Sequence, residues 1–318
     1  MASVSADIFK AYDIRGIYPD DIDGDLAQRI GGAFARVLSG LAGKPVGELR
    51  VGLGRDMRES APELAARYRE GLLAAGANVI DAGQVGSEML YFLVGSRELD
   101  GGLMCTASHN PKAYTGAKLV REGAIALSGE TGIEDIRRAV EDGGGDGGGA
   151  GGAGGERAGG VERGRLEEVE LYEEFQRAAL GFVDAETIRG RERPLKVVVD
   201  GGNGMAGPMV GPLLKGLGLD LIETYWTPDG SFPDHEPNPL LEENRRFIVE
   251  KVRESGADLG IAWDGDADRC FFIDETGRFV DGDFLTALLA KSLLAKRADR
   301  SRPEAILYDV RASRAVPD

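Results

Sequence analysis

Apolar and polar positions follow one another along the first half of the chain in a strand, helix, strand rhythm. ELRVGLGRD reads as a strand running into a glycine turn. SAPELAARYREGLLAAGA opens on a capping serine and a first-turn proline, carries apolar residues at helical spacing and ends on glycine, which predicts a helix. NVIDAG is a second strand, and GGLMCTAS a third that delivers Ser108 at its end. The second half repeats the rhythm. A helix is expected near 169–182, then the strand LKVVVDGG, the helix GPMVGPLLKGLG and the strand LDLIETYW. The helix ENRRFIVEKVRESG follows, and ADLGIAWDGDADRCFFID reads as strand, tight loop, strand. DGDFLTALLAKSLLAK and AILYDV open a third unit with a helix and a strand. Such alternation predicts an α/β protein of repeated similar domains, with mixed sheets flanked by helices and ligands beyond the strand ends.

Between the two halves, 143–160 is about two-thirds glycine and reads as a flexible coil. It lacks a preceding strand and a Lys-Ser or Lys-Thr ending, so it is no phosphate loop. The expected organisation is a first domain over 1–142, a linker over 143–165, a second domain over 166–278 and the start of a third over 279–318.

The 318 residues allow two or more cored domains, and 42% hydrophobic with 29% charged residues is the balance of a globular protein. A net charge of −16 disfavours nucleic acid and anionic membranes as partners, while leaving room for a small anion in a locally basic site. No apolar stretch reads as a signal peptide or a membrane span. Two cysteines, Cys105 and Cys270, are too few for a disulfide framework and suit a cytoplasmic, reducing setting.

Four motifs carry candidate chemistry. In DGDADR, Asp264, Asp266 and Asp268 alternate with small residues after an apolar strand. Carboxylates that close repel unless neutralised, and a hard divalent cation such as Mg²⁺ or Ca²⁺ suits an all-oxygen donor set. An EF-hand loop would place Glu275 at its twelfth position, but its sixth, where glycine is required, is Arg269. An acidic surface turn is the plain alternative.

In TASHNP, Ser108 could cap a helix, act as a hydrolytic nucleophile or carry phosphate. His109, one of two histidines, is poorly placed as a base for its neighbour, and the Gly-x-Ser-x-Gly elbow is absent. A phosphoserine would want a metal and cations, for which the aspartate loop, Lys118, Arg15 and Arg269 are candidates. Tyr12 and Arg15 lie on FKAYDIRGIYP, a segment expected to break at Gly16. Arg55, Arg58 and Ser60 follow a strand in GLGRDMRES and suggest either oxyanion handling or surface ion pairs.

FKAYDIRG, GRDMRES, TASHNPKAYTGAK, DGGNGMAG, DGSFPDHEPNP, DGDADR and DGDFL…YDVRASRAV occur in one order. Together they resemble the α-D-phosphohexomutases, most closely the bacterial phosphomannomutase/phosphoglucomutase branch. Outside the glycine-rich run the resemblance covers nearly the whole chain. It implies a phosphoserine enzyme that moves phosphate between positions 1 and 6 of a hexose through a hexose 1,6-bisphosphate. Carried over by residue, Ser108 is the phosphate carrier and Asp264, Asp266 and Asp268 bind Mg²⁺ with a phosphoserine oxygen as a further ligand. Lys118 is the acid/base partner, Arg15 and His109 flank the reacting groups, and Arg269 anchors the metal loop. Tyr12 and Arg311 join Arg15, Lys118 and Arg269 as substrate-binding candidates, with hexose phosphates as the partners. The family's sugar-reading loop in a third domain and distal phosphate loop in a fourth have no counterpart here, so turnover by this chain is expected to be slow. A phosphoglucosamine mutase, or a fragment that binds metal or phosphosugar without catalysis, is the alternative.

Overall fold

The computed structural model describes residues 4–142, 161–296, 305–308 and 312–317. Most of the expected linker and the substrate-binding candidate Arg311 lie outside those residues.

The first domain is built from β1 (Asp13–Ile17), α1 (Gly24–Ala42), β2 (Arg50–Arg55), α2 (Ala61–Ala74), β3 (Asn78–Gln84), α3 (Ser87–Ser96), β4 (Gly101–Cys105), β5 (Tyr114–Arg121), β6 (Ile125–Ala126) and α4 (Ile133–Glu141). A further strand, β7 (Leu166–Glu168), completes a seven-stranded sheet in the order β1-β5-β4-β2-β3-β7, with β6 on β5. The pairs β2–β3, β2–β4 and β3–β7 are parallel, while β1–β5 and β4–β5 are antiparallel. The second domain contains α5 (Tyr172–Leu180), α6 (Ala185–Arg189), β8 (Lys196–Asp200), α7 (Ala206–Gly216), β9 (Asp220–Thr224), α8 (Glu242–Ser255), β10 (Leu259–Trp263), β11 (Cys270–Asp274) and β12 (Phe279–Val280), followed by α9 (Gly282–Ala295). Its strands run β12-β11-β10-β8-β9, parallel from β10 through β8 to β9 and antiparallel across β11 and β12. Two mixed sheets flanked by helices, as expected, therefore place parallel strand ends beside antiparallel hairpins.

The strand period of two divides the core. On one face of the first sheet, Val51, Leu53, Leu103, Cys105 and Leu119 pack against α1, α2 and α4. On the other, Ile80, Met104 and Val120 meet Met89, Leu90, Leu93 and Val94 of α3. That second core continues without interruption into Val197, Val199, Met205, Met209, Ile261 and Trp263 of the second domain. The far face of the second sheet packs Val198, Ala262 and Ile273 on Ile248 and Val252 of α8. One apolar cluster thus joins the two sheets and fixes the strand ends that carry the site.

Several local expectations change. Ser60 sits in helical geometry at the start of α2 without capping it, and the Pro62 turn does the starting. The first strand runs through Gly16 instead of breaking there. Leu166–Glu168, expected with the second domain, is the edge strand of the first sheet, and the chain before it is docked too. Gly164 N–H donates to Leu73 O at 2.9 Å, and Arg163 grips Glu70 through two bonds of 2.5 Å. In the third unit the helix forms as α9, but 305–308 carry no strand; the rest of AILYDV lies outside the described residues. Among the described residues no helix is long and apolar enough to cross a membrane.

The crossing of α1 and α2 depends on two glycines. A Cβ on Gly31 would lie 2.2 Å from Tyr68 O, and one on Gly71 would lie 2.0 Å from Gln28 O. Gly71→Ala should force the helices apart at a cost of roughly 1–3 kcal/mol, the usual range for an overfilled core. Calorimetric melting measures it, and an unchanged Tm would contradict the contact.

Candidate active site

Two loops meet where the sheets face each other. The first follows β4. Thr106 Oγ1 accepts the Ser108 N–H at 2.8 Å and donates to Asp56 Oδ2 at 2.7 Å, which fixes the turn. Ser108 itself adopts φ +51, a left-handed conformation uncommon for a side chain with a Cβ. It is a turn residue and caps no helix. Arg58 holds the same loop from inside. Its guanidinium donates to Ser108 O (2.8 Å), Asn110 O (2.6 Å), Pro111 O (3.0 Å) and Tyr114 O (3.1 Å). Asp56 neutralises it with Oδ2 at 3.3 Å from Nε, and the Phe232 ring of the second domain lies 5.2 Å away. The oxyanion role suggested for Arg58 is thereby corrected, since it is 1% exposed and spent on main-chain carbonyls, while Arg55 donates to Gln84.

The second loop joins β10 to β11, strand to strand, which removes the EF-hand alternative. Asp264 and Asp266 are fully buried and Asp268 is partly buried, with ligand oxygens from all three within 4.8 Å of one another. Ser108 Oγ donates to Asp264 Oδ2 at 2.8 Å, so the two loops touch through the serine hydroxyl. Arg269 donates from Nε and Nη2 to Asp264 Oδ2 at 3.0 and 2.5 Å, from Nη2 to Ser108 Oγ at 3.0 Å, and also meets His109 Nδ1.

Lys118 projects from β5 and donates to Asp266 Oδ2 at 2.6 Å and to Asp268 Oδ2. In the register of β1 on β5, Asp13 lies opposite Lys118 and Arg15 opposite Gly116. Arg15 pairs with Asp13 and donates to Asn110 Oδ1 at 3.2 Å, leaving a buried Nε without a partner. Ser108, His109, Lys118, Arg269 and the three aspartates are therefore assembled, with Arg15 at the edge. Tyr12 is 70% exposed and makes no hydrogen bond to them.

Charge explains the protonation pattern. Burial and then the charges of Asp266 and Asp268 push Asp264 up to about 7. Burial acts the same way on Asp266, but the Lys118 ammonium outweighs it and holds the carboxyl well below its usual range. Burial opposes the Lys118 ammonium too, and Asp266 and Asp268 overturn it to raise its pKa. His109 is pushed down to about 4 by burial, then by Arg269 and Arg15. A neutral ring at pH 7 accepts at Nδ1 from Arg269 and keeps its proton on Nε2.

The donor set fits a hard divalent cation. All three ligand groups offer oxygen, and Asp266 Oδ1 is buried with no hydrogen-bond partner, an arrangement that costs free energy unless a cation meets it. Three groups around this centre escaped the sequence reading. Ser87 donates to Asp266 Oδ2, Asp56 orders the serine turn, and Asn110 receives Arg15. Asp56, within GRDMRES beside Arg58, and Asn110, within TASHNP, had a local signal, and Ser87 had none.

The serine hydroxyl lies between a carboxylate cluster and the Arg269 guanidinium, an arrangement chemically suited to phosphoryl groups on oxygen. Comparison with known proteins narrows the class. The model for phosphoglucomutase/phosphomannomutase α/β/α domain I matches residues 6–144, and that for domain II matches residues 173–277. A phosphohexose mutase of Xanthomonas campestris is 44% identical over 290 residues, covering 91% of this chain and 59% of the relative. An Escherichia coli phosphomannomutase is 39% identical over 310 residues, covering 96% and 62%. The crystal structure of a phosphoglucomutase/phosphomannomutase family protein from Burkholderia thailandensis superposes with a TM-score of 0.77 at 32% identity, covering 92% of this chain and 60% of that one. The chain belongs to the phosphoglucomutase/phosphomannomutase family, and it spans about three-fifths of the length of these relatives.

Proposed function

We propose that the protein is a phosphomannomutase/phosphoglucomutase, an intramolecular phosphotransferase that interconverts hexose 1-phosphate and hexose 6-phosphate. The observation that carries this reading is the placing of Ser108 Oγ, 2.8 Å from Asp264 Oδ2 and 3.0 Å from Arg269 Nη2. In the proposed cycle Ser108 carries the phosphoryl group. Its bond from phosphorus to Oγ breaks as a new bond forms to a sugar hydroxyl, giving a hexose 1,6-bisphosphate. The proton of that hydroxyl passes to Lys118 in its neutral amine form, and Arg269 stabilises the departing serine oxygen. The bisphosphate turns, Ser108 takes the other phosphoryl group, and Lys118 returns the proton to the sugar oxygen that is released. His109 holds Arg269 in place, and Arg15 offers its unpartnered Nε to a phosphate oxygen.

Asp264, Asp266 and Asp268 would hold Mg²⁺, with an oxygen on Ser108 as a further ligand. When bound, the ion neutralises charge on the transferring phosphoryl group and lessens the pull of the carboxylates on the Lys118 ammonium. We place the first two domains around the matched segments 6–144 and 173–277, with the second sheet ending at β12 and the third unit opening at α9. The net charge of −16 disfavours polyanions, which supports small-molecule partners.

The test is phosphorus NMR of mannose 1-phosphate or glucose 1-phosphate mixed with the chain and a catalytic amount of hexose 1,6-bisphosphate. Formation of 6-phosphate with Mg²⁺, and none in EDTA, is the expected result. Conversion at the same rate in EDTA would refute the metal-assisted mechanism.

A further inference from the structure

Ser87 belongs to none of the motifs that carry the proposed chemistry, yet it touches the centre of the aspartate loop. It is the first residue of α3, fully buried, and its Oγ donates to Asp266 Oδ2 at 2.5 Å. Its main-chain N–H donates to the carbonyl of the same residue at 3.1 Å. The first domain thus grips Asp266 of the second twice, at main chain and at side chain. The approach is tight, since a Cβ on the preceding Gly86 would lie 3.0 Å from Asp266 O and 2.6 Å from Met209 Sδ. With Ser87 and Lys118 both on Oδ2, the oxygen left without a partner is Oδ1.

We propose that Ser87 is a positioning residue, which pins Asp266 by Oδ2 so that Oδ1 is presented to the divalent cation. This rests on the metal reading of the aspartate loop given above. Lys118 cannot serve the purpose alone. It stands on a flexible four-carbon stem and is the group that must move a proton, whereas Ser87 is short and fixed by a helix. A hydroxyl that orients a metal ligand in this way commonly sets affinity by a factor of about 10–100.

The experiment titrates Mg²⁺, and Mn²⁺ as a second probe, into the full chain by calorimetry. It compares the unaltered protein with Ser87→Ala and Ser87→Thr, each checked for native circular dichroism. The unaltered chain should bind one ion, Ser87→Ala should bind it roughly 10–100-fold more weakly, and Ser87→Thr should restore most of the affinity. In phosphoryl exchange, the Mg²⁺ concentration for half-maximal rate should rise in Ser87→Ala while KM for the hexose phosphate stays constant. A purely structural role would not divide the two quantities. If the unaltered chain binds and Ser87→Ala binds equally well, the positioning role is overturned while the metal site stands. If the unaltered chain binds no ion, the metal reading falls and the role of Ser87 with it. Equal weakening in Ser87→Thr and Ser87→Ala would also overturn it, because the hydroxyl would not be the cause.

Discussion

Replacing Ser108 with alanine is expected to abolish uptake of phosphate from a hexose 1,6-bisphosphate and to lower mutase turnover by at least roughly 10³-fold, as removal of an attacking nucleophile does. The substitution removes the one hydroxyl that both loops share. It leaves Asp264 with its bonds to Arg269 and the loop with its Arg58 clamp, so the site should keep its shape. The chemistry and the fold are thereby separated. Intact-mass spectrometry after incubation with bisphosphate and Mg²⁺ should show one added phosphoryl group on the unaltered chain and none on Ser108→Ala. Peptide mapping should place the group on Ser108. A Ser108→Ala chain that still gains phosphate would show that the carrier is elsewhere, whatever happened to the rate.

The second large effect is on stability. Arg58→Met should cost about 3–5 kcal/mol, the range for removing one partner of a buried ion pair. Asp56, fully buried, would lose its counter-charge, and the carbonyls of Ser108, Asn110, Pro111 and Tyr114 would lose their donor. Methionine fills much of the volume, so the loss is one of charge and hydrogen bonding and not of packing. Against a total stability of about 5–15 kcal/mol this is a large share. Lysine should not rescue it, because a point charge cannot reach several carbonyls in the plane of a guanidinium fork. Urea unfolding measures the difference, and a change below about 1 kcal/mol would mean that the loop is held by something else.

The candidate site was legible in the sequence to the extent that its chemistry is local. Three aspartates alternating behind the buried strand LGIAW mark a cluster that could hold a cation, and a serine just after GGLMC is marked by its position. What holds those residues was not legible, because the partners lie far along the chain. Arg58 reads as an oxyanion-handling or surface ion-pair arginine until the loop some fifty residues on closes over it. Ser87 meets Asp266 across 179 residues. Among the elements, α1 has no counterpart in the sequence reading. Its Gly31, Gly32 and Gly40 dilute a helical pattern that tertiary packing then enforces. The strand β7 is LEE, a polar triplet with no alternation, and becomes a strand only through its bonds to β3. Ser60 carried the expected signature of a cap and does not act as one, because Pro62 had already set the first turn.

The shared apolar core and the divided site together have a thermodynamic consequence. The carboxylates belong to the second domain, and the serine, the lysine and Ser87 belong to the first. Any ligand that spans them is bound only by the docked pair of domains, so docking and binding are one linked equilibrium. At a hundred times its dissociation constant such a ligand would add about 2.7 kcal/mol to the docked state. Substrate and ion would then act as reversible cross-links, and a domain expressed alone would forfeit its partner's half of the ligand shell along with its share of the core. The protein's integrity would rise and fall with the supply of what it works on.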